Sequence, residues 1–312
     1  MVRSPLIEIQ PAAQAATAEY HGALLPAFYS NAVAEHQAVR SAAGLFDFSF
    51  RAQFSASGAD RLRFIHGMVS NDVKSLTPGQ GVYATILDVR GHILADLRIY
   101  CCEDRLLLET DADLIEKALA TLSHYNIGGR VPLERLDRAA LAIEGPASGR
   151  ILGEALRVPP PGPEQYTHRE AQIEGIDLRV VRASMTGEAG YEIWAPPAKV
   201  KGLWRLLLDR GRAFGLQPCG WRALETLRIE AGIPVYGSEL GEDTLPLEAG
   251  LTSALSFNKG CYIGQEIVER ARSRGRVNWT LAGLTLESGG APTPGEKVSS
   301  GGKDAGEITS AC

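Results

Sequence analysis

The 312-residue chain is long enough for two or three domains with cores of their own. Its 45% hydrophobic and 22% charged content is that of an ordinary globular protein, and a net charge of −5 argues against a general nucleic-acid binder while leaving room for a local basic patch. The five cysteines contain no C-x-x-C pair, which argues against a zinc ribbon or a dithiol redox centre, and their odd number points to a reducing compartment. No secretory leader is visible in residues 1–10 and no stretch approaches eighteen apolar residues, so a cytoplasmic protein without a membrane span is expected.

In chain order, the spacing predicts a helix over 32–43, with Asn31 as its N-cap and Gly44 as its C′ residue. Over 46–54, Phe46, Phe48, Phe50, Ala52 and Phe54 alternate with Asp47, Ser49, Arg51 and Gln53. That is a strand pattern with one aromatic face buried and one wet. A short helix over 59–68 follows. A hairpin comes next, 82–88 and 92–101 around Arg90-Gly91, then a strand over 106–109 and an amphipathic helix over 114–125. The second half has a similar order: a strand near Leu141, a helix over 147–156, strands over 176–182 and 191–194, and a helix over 199–214. The stiff run 159–163, PPPGP, reads as a surface connection. Strand–helix–strand–strand–helix order, twice, suggests two split βαβ-type sheet-and-helix units, an α+β fold. After Gly275, strand-like pieces over 277–286, 297–298 and 305–309 look like the start of a small C-terminal β-barrel. It stops directly after a strand signal, so it is expected to be truncated, because it would leave an open edge.

Four segments could carry chemistry. In KGCYIGQEIVERARSRGR (259–276), Gly260 and Gly264 bracket Cys261, and a helix can begin at Gln265 and run to 272. A thiol just before a helix N-terminus and next to Lys259 has its thiolate favoured; the plain alternative is a small buried hydrophobe in a turn. Arg270, Arg272, Arg274 and Arg276 form a like-charge stripe, either an anion or RNA site or a solvated helix end. In SMTGEAGYEIW (184–194), Gly187 and Gly190 make a turn that presents Glu188, which can accept two parallel N–H bonds or simply face solvent. In GHILADLRIY (91–100), Asp96 lies in an otherwise apolar strand. It must be paired or perform a task unless it faces the wet side. In WRALETLRIEAGIPVYG (221–237), Arg222 and Glu225 can pair at i,i+3 on a helix, functionally or as part of a structural network.

Taken in order, EHQAVRSAAGLFDFS from Glu35, NDVKSLTPGQGVYATILD from Asn71, GHILADLRIY, TGEAGYEIW, LRIEAGIPVYGSEL from Leu227 and AGEITS resemble the aminomethyltransferase (glycine-cleavage T-protein) superfamily over almost the whole chain. Within it, Lys259-Gly260-Cys261-Tyr262-Ile263-Gly264-Gln265-Glu266 followed by Arg270 resembles the signature of the YgfZ branch. That resemblance implies a three-domain cloverleaf around a tetrahydrofolate site. Residues 1–52 with 139–245 would form the first domain and 53–138 the second; 246–276 would connect them to a third at 277–312. It further implies an accessory role in iron–sulfur cluster assembly or repair, with cluster-assembly proteins or cluster enzymes as partners and an indirect link to tRNA modification. Carried over by position, Glu188 would bind the pterin, Arg222 would line the site, Tyr83 and Tyr100 would contact the ligand and Asp96 would act on a folate nitrogen. Cys261 would be the essential residue, with partners supplying further ligands, since a four-iron cluster needs about four thiolates. The alternative implied is a true aminomethyltransferase. Against it stand Ala95 where T-proteins have an aspartate, Met185 where they have a tyrosine, and Thr110-Asp111 near their asparagine.

Overall fold

In the computed structural model, which describes residues 2–9, 17–275, 277–287 and 289–312, the run of alternating aromatics feeds two different sheets. Ala43–Asp47 and Arg51–Ser57 are separate strands, joined by a turn in which the Arg51 N–H donates to the Phe48 carbonyl at 2.8 Å. No wet face exists along it: Asp47, Ser49, Arg51 and Gln53 are all buried. Both sides of the run are covered, and each polar side chain has a partner. Asp47 accepts from the hydroxyls of Ser4 and Ser49, Arg51 pairs with Asp111, and Gln53 donates to Glu109. Where the alternation predicts one strand with a solvent-facing side, the structure has two strands buried on both sides.

The first sheet has six strands in the order His168–Ile173, Ile176–Arg182, Gly190–Ala195, Ala139–Glu144, Ala43–Asp47, Leu216–Cys219. All pairs are antiparallel except the last, which is parallel. Helix Pro197–Gly211 covers one face with Val200, Leu203, Trp204 and Leu207. The second sheet is antiparallel, in the order Gly81–Leu87, Ile93–Cys101, Arg105–Asp111, Arg51–Ser57, Leu133–Arg135. Helices Arg61–Met68 and Ile115–Tyr125 close its apolar face over Phe54, Leu97, Ile99, Leu106 and Leu108. Each such buried side chain is worth about 1.5–3 kcal/mol relative to exposure.

Both units run strand, helix, three strands, helix, strand; Leu133–Arg135 in one unit, and His168–Ile173 and Leu216–Cys219 in the other, are strands that the spacing does not predict. In both, the second, third and fourth strands lie side by side and the first follows the fourth. The six-stranded sheet differs by admitting Ala43–Asp47 next to its first strand.

Helix Ala32–Ser41 starts where Asn31 predicts: its side chain accepts from the Ala34 N–H at 2.8 Å. Its end does not use Gly44, which is a strand residue instead. A Cβ there would lie 2.6 Å from Val39 Cγ2 and 2.8 Å from Cys219 Sγ, so the glycine serves close packing rather than a left-handed cap. At the C-terminal end, Lys297–Ser300 and Lys303–Glu307 form a two-stranded hairpin, and 277–286 carries no strand. There is no closed barrel among the described residues. The fold is α+β, and no described helix is long and apolar enough to cross a membrane.

Candidate functional site

One face of the five-stranded sheet is charged, and its register shows how. On one rung Thr85 faces Asp96, and Asp111 faces Arg51. On the next, Tyr83 faces Arg98, Arg98 faces Glu109, and Glu109 faces Gln53. Side chains alternate along a strand, so these residues share the face opposite the helices. The six-stranded sheet closes over it through Glu192 and Trp194 of strand Gly190–Ala195.

The result is a dry cluster of four carboxyls and two guanidiniums: Asp96, Glu109, Asp111 and Glu192 with Arg51 and Arg98, all buried. Arg51 Nη1 donates to Asp111 Oδ1 at 2.5 Å, and its Nη2 lies 3.5 Å from Glu109 Oε2. Arg98 Nη1 donates to Glu109 Oε2 at 3.3 Å and to Glu192 Oε1. Burial works against the charge of Glu109, but Arg51 and Arg98 outweigh it and hold that carboxyl below its usual range. Glu192 goes the other way. Burial, against the pull of Arg98 and helped by the charge of Glu109, pushes it up to about 7. Asp96 is also raised, by burial and by the nearby charge of Asp111.

Asp96 is the member of this arrangement with hydrogen-bonding capacity to spare. Tyr83 donates to its Oδ2 at 3.1 Å, while Oδ1 is buried with no partner among the described residues, as is Gln53 Oε1. A buried unpaired carboxylate oxygen costs several kcal/mol unless something donates to it. Above it, the half-buried rings of Tyr83 and Tyr166 lie nearly parallel, with centroids 6.3 Å apart and planes at 23°. Tyr166 has φ of +63°, a conformation that costs a residue with a side chain about 1–3 kcal/mol and is held here by its N–H donating to the Arg182 carbonyl at 2.8 Å.

The other sequence-predicted residues are placed as follows. Tyr100 is fully buried beneath the charged face; its hydroxyl donates to Glu109 at 3.3 Å and its ring meets Trp194 edge to face. Glu188 pairs with Arg40 at 2.7 Å on the outer side of its turn, and no contact joins it to the cluster among the described residues. Glu192, four residues on, is the glutamate that reaches the cluster. Arg222 is exposed over the Trp221 ring and does not pair with Glu225, whose partners are Arg228 and the Tyr20 hydroxyl.

The KGCYIGQE segment is a tight corner of the chain. The Lys259 ammonium donates to the carbonyls of His66, Val69 and Asn71 and lies 4.8 Å from the centre of the Tyr262 ring, so it clamps the corner to the backbone. Cys261 is exposed, and helix Gln265–Arg274 begins only after Gly264, whose φ is +83°. A Cβ at Gly264 would sit 2.6 Å from the Asp88 carbonyl, which explains a glycine there. Gly260, Glu266 and Arg270 are exposed and Gln265 is half-buried. Arg272 lies over the Phe257 ring and pairs with Glu269 at 3.6 Å; Arg276 of the expected stripe falls outside the described residues.

Residues 6–259 match the family model described as the GCVT N-terminal domain. The chain belongs to the GCVT family. GCVT-family relatives named aminomethyltransferase include one from Moorella thermoacetica, 36% identical over 99% of this chain and 85% of its own length, and one from Bacillus subtilis, 35% identical over 98% of this chain and 86% of its own. The crystal structure of the glycine cleavage system aminomethyltransferase T from Bartonella henselae is 28% identical and superposes with a TM-score of 0.80, covering 88% of this chain and 75% of that one. These names overturn the expectation of an iron–sulfur accessory role with cluster-assembly or cluster-enzyme partners. The motif that suggested it is, in the structure, a lysine-clamped turn.

Proposed function

We propose that this GCVT-family protein is a folate-dependent aminomethyltransferase. The observation that carries the reading is Asp96 Oδ1, unpartnered among the described residues and buried between the two sheets beside Tyr83. The donor set fits a reduced pterin: among the described residues Asp96 Oδ1 and Gln53 Oε1 lack donors, which ring N–H and amino groups would supply, and Tyr83 and Tyr166 offer aromatic faces to a flat ring. Tetrahydrofolate supplies the nitrogens that receive the one-carbon unit.

In this reading Asp96 orients the ligand and takes or returns a proton at a folate nitrogen, a role suited to its raised proton affinity. Tyr83 fixes the Asp96 carboxyl, and Tyr100 supports the floor through Glu109. Residues 1–52 with 139–245 and residues 53–138 are the two units that bracket the ligand, with 246–276 joining them to 277–312. The relatives' printed name supports the reaction class.

The test is an aminomethyl-transfer assay with tetrahydrofolate and an aminomethylated lipoyl carrier protein. Equal release of ammonia and methylenetetrahydrofolate is expected. No turnover by a folded sample that also fails to bind tetrahydrofolate would sink the reading.

A further inference from the structure

Glu109 and Glu192 come from different sheets and meet on a single nitrogen. Arg98 Nη1 donates both to Glu109 Oε2, at 3.3 Å, and to Glu192 Oε1. Both carboxyls are fully buried. The groups facing Glu192 are Arg98, Glu109, Arg51 and the Tyr100 phenol from the five-stranded sheet, the Tyr166 phenol, and Trp194 from its own strand. Two carboxylates on one guanidinium nitrogen, away from water, repel strongly unless one holds a proton.

The donors are unevenly shared. Glu109 receives Gln53 Nε2 at 3.1 Å, the Tyr100 hydroxyl at 3.3 Å and Arg98, and faces Arg51 Nη2 at 3.5 Å. Glu192 receives Arg98 and, at 3.5 Å, the Trp194 indole N–H. Donors stabilise the ionised form, so the proton belongs on Glu192. We propose that Glu109 is a positioning residue: by sharing Arg98 with Glu192 it keeps one proton in the pair and places it on Glu192. The cluster then carries one fewer negative charge beside Asp96 than its composition implies. The inference takes its functional meaning from the aminomethyltransferase reading, but the pair can be tested without ligand.

The experiment is a pH titration of ligand-free protein with 13C-labelled glutamate carboxyls, read by NMR, on wild type, Glu109→Gln and Glu192→Gln. One glutamate carboxyl is expected to titrate near neutrality in the wild type. In Glu109→Gln its midpoint moves toward acid by about one unit or more, and in Glu192→Gln it vanishes. A purely structural Glu109 would change the melting temperature and leave the midpoint in place. A wild type without a neutral-range glutamate, a midpoint unmoved in Glu109→Gln, or a signal that survives Glu192→Gln overturns the proposal. If Glu109→Gln does not fold, Glu109→Asp, which shortens the reach to Arg98, takes its place, and an unmoved midpoint there overturns the proposal equally. Tetrahydrofolate binding on the same samples separates the two claims, because absent binding with the expected titration defeats the aminomethyltransferase reading and leaves the pair standing.

Discussion

Tyr83 and Asp96 sit diagonally across paired strands, and the phenol donates to Asp96 Oδ2 at 3.1 Å while Oδ1 has no partner among the described residues. The tyrosine therefore fixes the carboxyl without saturating it. Asp96→Asn preserves shape but removes the proton acceptor. Aminomethyl transfer is expected to fall by about 10²–10⁴-fold with the melting temperature nearly unchanged. Tyr83→Phe removes one hydrogen bond, worth about 1 kcal/mol, and should cost roughly fivefold. Steady-state kinetics with parallel thermal melts would check both. Full activity in Asp96→Asn would rule the residue out as acid or base.

Arg98 holds the two sheets together electrostatically. Arg98→Met would leave Glu109 and Glu192 facing each other without the cation they share. Breaking a buried pair in this way costs about 3–5 kcal/mol. Adding Glu109→Gln removes the carboxylate that stays ionised in the pair, so the double variant should be more stable than Arg98→Met alone. Urea unfolding of the three proteins measures this, and a double variant that is the less stable of the two would show that the cost is packing.

Asp96 was legible because a carboxylate in a strand of leucines and isoleucines has to be explained chemically. Arg51, Arg98, Glu109 and Asp111 were equally visible as charges at period two, but only strand pairing shows that they share two rungs. Glu192 was hidden for a similar reason. The sequence draws attention to Glu188 at the tip of a glycine turn, whereas the residue that reaches the site is the one that strand alternation points inward, onto an arginine 94 positions away. Asn31 could be read because capping is local. Gly44 could not, since its neighbours Val39 and Cys219 are brought to it by the helix and by the parallel edge strand.

That crowding makes Gly44 testable. An alanine Cβ would meet Val39 Cγ2 at 2.6 Å, Cys219 Sγ at 2.8 Å and Phe46 Cε2 at 3.0 Å. All three belong to buried residues, so none can swing into solvent. Gly44→Ala is expected to destabilise by about 1–3 kcal/mol despite improved strand propensity. Gly44→Ala combined with Val39→Ala should recover part of the loss. Chemical denaturation would show it, and an unchanged midpoint for Gly44→Ala would mean that the helix Ala32–Ser41 shifts freely on the sheet.

His168 links the sheets through a neutral ring and should make stability depend on pH. Arg179 Nη1 donates to Nδ1 at 2.6 Å, which leaves the ring proton on Nε2, 3.0 Å from the Cys101 carbonyl of the other sheet. Burial, with the charge of Arg179, pulls the ring's pKa down from 6.5 to about 4. The unfolded chain therefore binds the proton more tightly than the folded one. The contribution is fully present above pH 6.5 and is lost as pH falls toward 4, up to about 2–3 kcal/mol. Glu192 acts in the opposite sense. Its raised pKa favours the folded state at low pH, and that benefit fades as pH rises through about 7. The His168 effect is therefore read as a difference: wild type minus His168→Gln, by urea unfolding at pH 7.5 and pH 5. Wild type should lose more stability than the variant on acidification. Equal losses would mean that the ring is not held neutral between the sheets.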